Sequence, residues 1–404
     1  MNLSKFKTVV LALAVSIMAI SMIVLPEQSL EASARGLHMW WKSVFPALFP
    51  FFVISELLIG FGVVKFMGVF LEPLMRPLFK VPGVGGFAWA MGMASGFPAG
   101  AKLTTRLRME EQITKKEAER LVSFTNSSSP LFIFGAVAVG FFGNPRLGML
   151  LAATHYLGNF FVGIIMRFYG KGETTVTKRN NSTRPLPYQA LTALHRTRLA
   201  NKKPLGKLLG DAVISSIHTL LMIGGFIILF SVINKLLFHL QVTLVLSKLI
   251  SYVLQLFQLS EGLSIPLIAG LFEITLGSKL ASDVLEVSLM HKVIITSFIL
   301  GFSGFSVQAQ VASILAETDI SFKPFFIARI FHGFIAGLLT YVLWKPFSDR
   351  FYFDAEPSAV PTFLQDHDAW WETAHQFLID FGPPFTLACL FIYLLVYMKS
   401  AKKN

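Results

Sequence analysis

Apolar stretches long enough to cross a bilayer recur along the whole chain, separated by short polar or charged segments. Residues 9–25 form the first, behind Lys5 and Lys7. Ala32-Ser33-Ala34 resembles a signal-peptidase site, but it lies far beyond a run already long for a signal peptide, so an uncleaved span is expected. Further spans are expected at 45–64 (carrying Pro46, Pro50 and Glu56), 121–142, 147–168, 211–237, 293–315, 324–344 and 377–397. Residues 65–80 and 240–257 read as amphipathic connectors. Two spans are interrupted, one by Asn126-Ser127-Ser128-Ser129-Pro130 and the other by Gly301, Ser303, Gly304 and Ser306.

Two other apolar segments break in the middle. Residues 83–105 are apolar over 84–93, break at Gly96 and Pro98, and continue through Lys102 and Thr104 to the charges that begin at Arg106. Residues 261–282 carry Glu273 between apolar stretches. Broken backbone at membrane depth is tolerated only where it is buried in protein or lines a cavity, so both segments are expected to be re-entrant helical hairpins. A shift of 177 residues carries Gly100-Ala101-Lys102-Leu103-Thr104-Thr105 onto Gly277-Ser278-Lys279-Leu280-Ala281-Ser282, Gly85 onto Gly262 and His155 onto His332. One shift serving separated places indicates duplication. The expected fold is an all-α polytopic membrane protein of about eight spans in two inverted repeats. Its parts are a first span and connector (1–37), a first repeat (38–169, hairpin 83–105) and a basic linker (170–209). A second repeat (210–345, hairpin 261–282), an acidic loop and a last span (346–404) complete it.

Composition agrees. Of the 404 residues 54% are hydrophobic and 14% charged, where soluble domains carry about 25% charged residues. A net charge of +12 would suggest nucleic acid in a soluble protein. Here the basic residues cluster at the N-terminus, at 65–80, at 106–120, in the linker and in the tail. Eight spans with self-returning hairpins put all of these on one side and the acidic loop on the other, so no nucleic-acid partner is expected and both termini are expected in the cytoplasm. Nothing periodic marks the linker, which reads as flexible. The single cysteine, Cys389, allows no intramolecular disulfide.

Paired broken helices within duplicated halves are the plan of secondary transporters. Half-helix N-termini attract anions, and Lys102 and Lys279, about one turn past each break, would each take one carboxylate of a small dianion. The substrate-binding set expected at the tips and interruptions is Gly96, Ala99, Gly100, Lys102, Thr104, Asn126, Ser127, Ser128, Glu273, Thr275, Gly277, Ser278, Lys279, Ser303, Ser306 and Gln308. Glu273, His155 and His332 are candidate proton carriers, the histidines equally readable as packed hydrogen-bonding residues. Arg329, near a span end, reads as snorkelling, and Trp40 and Trp41 as an interfacial belt. Phosphate-binding glycine loops, zinc-type spacings and nucleophile elbows are absent from the sequence, so neither enzyme activity, cofactor nor metal is expected.

Met93-Ala94-Ser95-Gly96-Phe97-Pro98-Ala99-Gly100-Ala101-Lys102, Thr125-Asn126-Ser127-Ser128-Ser129-Pro130 and Gly301-Phe302-Ser303-Gly304-Phe305-Ser306-Val307-Gln308 resemble the YlbJ family of sporulation integral membrane proteins, also called stage V sporulation protein VV, of endospore-forming Firmicutes. The resemblance runs over nearly the whole chain except the basic linker and tail. The motifs are also similar to the wider nucleoside recognition (Gate) group and, distantly, to concentrative nucleoside transporters. The resemblance implies a protein of the outer forespore membrane that moves dipicolinic acid from the mother-cell cytoplasm. Its partners would be that small planar dianion and the bilayer, with room for a homo-oligomer. The alternatives are a Gate-type carrier of nucleosides or another neutral solute, and a non-transporting membrane scaffold in spore assembly.

Overall fold

The structure is a computed structural model that describes residues 3–170, 185–200, 203–351 and 353. The acidic loop beyond Phe353, the span at 377–397 and residues 171–184 of the linker lie outside these. Among the described residues every regular element is helical.

In the first half α1 (Leu3–Val24) is apolar and exposed along nearly its whole length, as a helix facing lipid must be. α2 (Pro26–Met39) passes through a π-helical turn, Trp40–Val44, into α3 (Phe45–Gly60). At Gly62, held at a φ of +83°, the chain bends by 82° into α4 (Val63–Phe79), so the expected second span and its connector part at a glycine. α5 (Val84–Ser95) and α6 (Ala99–Met109) are the arms of the first hairpin. α7 (Lys115–Thr125) starts with a capping box between Thr114 and Glu117. It stops at Asn126, where the backbone becomes extended, and a π-helix, Leu131–Phe141, resumes after Pro130. α8 (Leu147–Met166) ends this half.

One element departs from expectation. Within the basic stretch read as a flexible linker, α9 (Leu186–Ala200) is a helix packed on α4, its Thr197 and Leu194 closing on Gly62. The packing face is narrow, and charges on both sides of it hide the period.

The second half runs through α10 (Leu205–His239) and α11 (Val242–Leu256) to a 3₁₀ turn, Glu261–Leu263. The second hairpin is α12 (Ser264–Phe272) and α13 (Ile274–Asp283). α14 (Leu289–Phe302) and α15 (Gly304–Leu315) meet at Ser303, and α16 (Phe322–Phe351) follows.

By length and composition five described segments suffice to cross a membrane, or six if α3 and α4 form one bent span. The expected span at 121–142 is divided between α7 and the π-helix. Because apolar surface gains little by leaving lipid, close approach at small residues brings the helices together. A Cβ on Gly301 of α14 would lie 2.9 Å from the Gly333 Cα of α16. The first hairpin is held on α7 and α8 by aromatic packing, with Trp89 of α5 against Phe124 at 6.1 Å and Phe160 at 6.4 Å, and Phe79 of α4 stacked on Phe124 at 4.5 Å. Trp40 is not part of a belt: it is buried and its Nε1–H donates to the Leu220 carbonyl of α10 at 2.9 Å, whereas Trp41 is exposed.

Candidate functional site

The first hairpin turns at Gly96, whose φ of +88° and ψ of −171° belong to a region open to glycine alone. Beyond it α6 begins, and the orphan N–H of Ala101 donates to Asn126 Oδ1 at 3.0 Å, while the Asn126 amide donates to the Val122 carbonyl. The break after α7 therefore caps the half-helix of the hairpin. Gly92 and Gly100 make this approach feasible, since a Cβ on either would sit within about 2 Å of the Thr125 carbonyl oxygen. Thr104 donates to the Gly100 carbonyl at 2.7 Å and touches Thr125 Oγ1.

At the tip of the second hairpin Glu273 is extended and caps its own helix: its carboxylate accepts from the N–H groups of Thr275 at 3.0 Å and Leu276 at 2.7 Å. The anion site that a half-helix N-terminus offers is thus filled by the chain's own charge. Gly277 lies against Gly270 across the hairpin.

Between the tips lies a cavity of about 760 Å³. Ser95, Gly96 and Phe97 line it from the first tip, and Glu273, Ile274 and Thr275 from the second. Ser128 and Ser129 contribute from the break after α7, and Ser306, Val307 and Gln310 from α15. Lys42 and Leu48 stand at one side, Ile223 and Ile227 of α10 at another, and Phe132 and Phe141 of the π-helix at a third. The hydroxyl oxygens of Ser95 and Ser128 are buried without a hydrogen-bond partner among the described residues, so an occupant or water must satisfy them.

Of the expected set, Gly96, Ser128, Glu273, Thr275 and Ser306 line this cavity. Ala99 instead joins the apolar cluster of Leu48, Phe52 and Leu220. Gly100, Thr104, Asn126 and Gly277 build the tips as described, and Ser127 bonds the Gly92 carbonyl. Ser278 and Ser303 are buried outside the lining, and Gln308 donates to the Phe302 carbonyl at 2.9 Å.

The two lysines are not brought together. Six residues past a break is about 9 Å along a helix. At that distance Lys102 turns away from the cavity to Glu56 of α3 at 3.5 Å, over the ring of Phe52, and to the Ser215 carbonyl. Lys279 is half-exposed and paired with Asp283 at 2.8 Å. The cation on the cavity wall is Lys42, which sequence reasoning missed, as it missed Ser95 and Phe97. Ser95 adjoins the break and was within reach of that argument; Lys42 lies in a polar segment with no periodic cue.

Beside the cavity the halves meet through a buried polar cluster. Arg329 does not snorkel: it is fully buried, donating to the Asn126 carbonyl at 2.7 Å, to Asn159 Oδ1 at 2.9 Å and to the Ser123 carbonyl. It thereby binds the negative end of α7. A guanidinium only donates, so its 3.0 Å contact fixes His332 Nδ1 as an acceptor. His332 then carries its proton on Nε2 and gives it to the His155 carbonyl at 2.8 Å. His155 Nε2 accepts from the Ser128 N–H at 2.9 Å, which leaves the proton on Nδ1, where the described residues offer no partner. In this arrangement each imidazole is neutral and carries one proton.

The chain is 57% identical over 399 residues to the sporulation integral membrane protein YlbJ of Bacillus subtilis, covering 98% of this chain and 97% of that protein. Residues 41–145 match the Gate family, described as nucleoside recognition. Over 92 residues the chain is 38% identical to the uncharacterised protein BpOF4_10220 of Alkalihalophilus pseudofirmus, covering 22% and 19% of the two chains. Among solved structures, CNTnw in an inward-facing substrate-bound state aligns at 12% identity and a TM-score of 0.43, over 85% of this chain and 87% of that one.

Proposed function

The chain belongs to the YlbJ family of sporulation integral membrane proteins, and on that premise we propose that it is a transporter whose substrate occupies the cavity between the two hairpin tips. The observation that carries this reading is that both tips, the break after α7 and the start of α15 all contribute residues to one cavity. The same 177-residue shift supports two inverted repeats: it carries the Gly96 break to Glu273 and the Asn126 break to Ser303, and His155 contacts its counterpart His332. Three crossings per repeat make the second copy inverted. The basic segments then put both termini in the cytoplasm.

The substrate is a small organic anion, dipicolinate by the family resemblance, moved across the outer forespore membrane. Phe97 and Phe132 offer flat apolar faces to an aromatic ring, Ser95 and Ser128 offer hydroxyls, and Lys42 supplies the positive charge first sought in Lys102 and Lys279. The Glu273 carboxylate is turned into its helix end and so repels an anion less than a free acid would. A second reading, a nucleoside or other neutral solute, is favoured by Glu273 and Gln310 both standing on the wall while Lys102 and Lys279 stand off it.

Proteoliposome uptake separates the two. Dipicolinate influx that falls in Lys42→Gln and in Ser95→Ala/Ser128→Ala supports the anion carrier. Uridine influx without dipicolinate influx supports the neutral-solute reading. A well-inserted parent that moves neither leaves only the scaffold.

A further inference from the structure

A second cavity of about 170 Å³ adjoins the first. Its wall includes two cations, Arg35 of α2 and Lys279 of α13. It shares Met39, Phe141, Ile227, Glu273 and Thr275 with the larger space, so three apolar side chains, a capped carboxylate and a threonine stand between the two cavities. The acids that balance the two cations stand outside the lining: Glu31 reaches Arg35 at 3.5 Å and is shared with Lys235 at 3.0 Å, and Asp283 reaches Lys279 at 2.8 Å. These pairs are half-exposed, and such pairs are worth little in water and are readily given up for a better partner. Glu273 lines both cavities, but both of its oxygens are held by backbone N–H groups. On the wall of the small cavity itself two cations thus face one carboxylate, whose oxygens are already engaged.

We propose that this small cavity is a vestibule of the transporter on the side of the membrane opposite the termini, in which Arg35 and Lys279 together hold the anionic solute as it passes Met39, Phe141 and Ile227 between that side and the main cavity. The vestibule rests on the carrier reading given above for its substrate, but not for its charge. It accounts for Lys279 at the foot of the hairpin rather than at the tip, and it gives Arg35 a role that its place in a polar connector did not suggest.

Two measurements test it. In proteoliposomes at low ionic strength, Arg35→Gln and Lys279→Gln are expected to raise the KM for dipicolinate by about twofold or more each, the Coulombic floor for one charge at about 8 Å in a water-like dielectric. Added salt should narrow the difference, and Arg35→Lys should keep the parental KM. Parental KM in the double variant, in a preparation that carries dipicolinate, overturns the proposal. The second measurement needs no transport. Ser231 lines the vestibule, so Ser231→Cys on a Cys389→Ser background reports its charge through labelling by anionic and cationic methanethiosulfonates. A faster anionic reaction that disappears in Arg35→Gln/Lys279→Gln supports the vestibule, even where absent flux has overturned the carrier reading. Equal rates in the parent, or a preference that survives the double substitution, overturn it.

Discussion

Replacing Arg329 by leucine tests whether a buried guanidinium holds the two halves together. Leucine keeps much of the apolar volume and donates nothing. The carbonyls of Ser123 and Asn126 and the side-chain oxygen of Asn159 then lose their donors at a site that water does not reach. Each acceptor orphaned in this way costs about 1–3 kcal/mol. Removing the cation also removes its own burial penalty, which offsets part of that sum. Hydrogen bonds between membrane helices average only about 0.6 kcal/mol, so the three lost bonds set a floor of ~2 kcal/mol. The expected net loss is about 2–5 kcal/mol, the upper end matching the effect of breaking a buried pair.

The assay is thermal unfolding of the detergent-solubilised protein, followed by tryptophan fluorescence and by loss of the monodisperse peak. At roughly 2 °C per kcal/mol for a large chain, the midpoint should fall by about 4–10 °C. Arg329→Lys should recover little, because one ammonium cannot serve acceptors spread over α7 and α8 as the planar fork does. A midpoint for Arg329→Leu indistinguishable from the parent would refute the argument, since it would mean that the α7 carbonyls find other donors.

Three further outcomes are expected. Gly96→Ala forces a Cβ into a conformation closed to other residues and to 3.0 Å from the Ser129 nitrogen; a strain of about 1–3 kcal/mol should reduce solute flux more than membrane insertion, with flux and surface labelling compared on the same sample. Lys102→Met leaves Glu56, among the described residues, with Ser215 Oγ at 3.1 Å as its remaining partner, so thermal stability should drop while the KM for solute stays near parental, the reverse of Lys42→Gln. Arg108 bonds Asp319 at 2.9 and 3.0 Å and, chiefly through that hydrogen bond, holds its carboxyl below the usual carboxylate range. Because the folded-state value is depressed, the pair contributes its full stabilisation above about pH 4, the unfolded carboxylate value, and loses it as pH falls through the folded value. The midpoint difference between the parent and Asp319→Asn should therefore shrink on acidification and vanish below that value.

Much of the fold was legible because the relevant signals are local. Gly96 with Pro98, Asn126 to Pro130, and Ser303 with Gly304 each interrupt an apolar run, and each is a helix break in the structure. The histidine match at one constant shift becomes a contact in space. What was not legible depends on partners far apart in sequence. The Arg329 side chain is read as a snorkelling cation until the ends of α7 and α8 are known to surround it. The period of α9 is hidden because Leu194 and Thr197, which close on Gly62, are interleaved with Arg196 and Arg198.

The site chemistry failed to follow from the tips for one physical reason. An N-terminal half-helix in a membrane must satisfy its first N–H groups, and an anionic substrate is only one way to do so. Here the chain satisfies them itself, with Asn126 at one tip and Glu273 at the other. Once the helix ends are filled, a lysine six residues further along has no anion to meet at the tip, and it finds Glu56 or Asp283 instead. On the carrier reading, recognition then rests on the hydroxyls of Ser95 and Ser128, which have no hydrogen-bond partner among the described residues, and on Lys42 of the cavity wall. This also predicts which substitution should convert the second tip. With glutamate replaced by alanine at 273, the N–H groups of Thr275 and Leu276 become the anion site that the backbone alone would make. Affinity for a small anion, read as the solute concentration that half-protects Ser231→Cys from labelling, should then rise even as the hairpin loses its cap and some stability. Weaker protection in Glu273→Ala than in the parent would mean that the carboxylate itself takes part in holding the solute, and would favour the neutral-solute reading over the anion carrier.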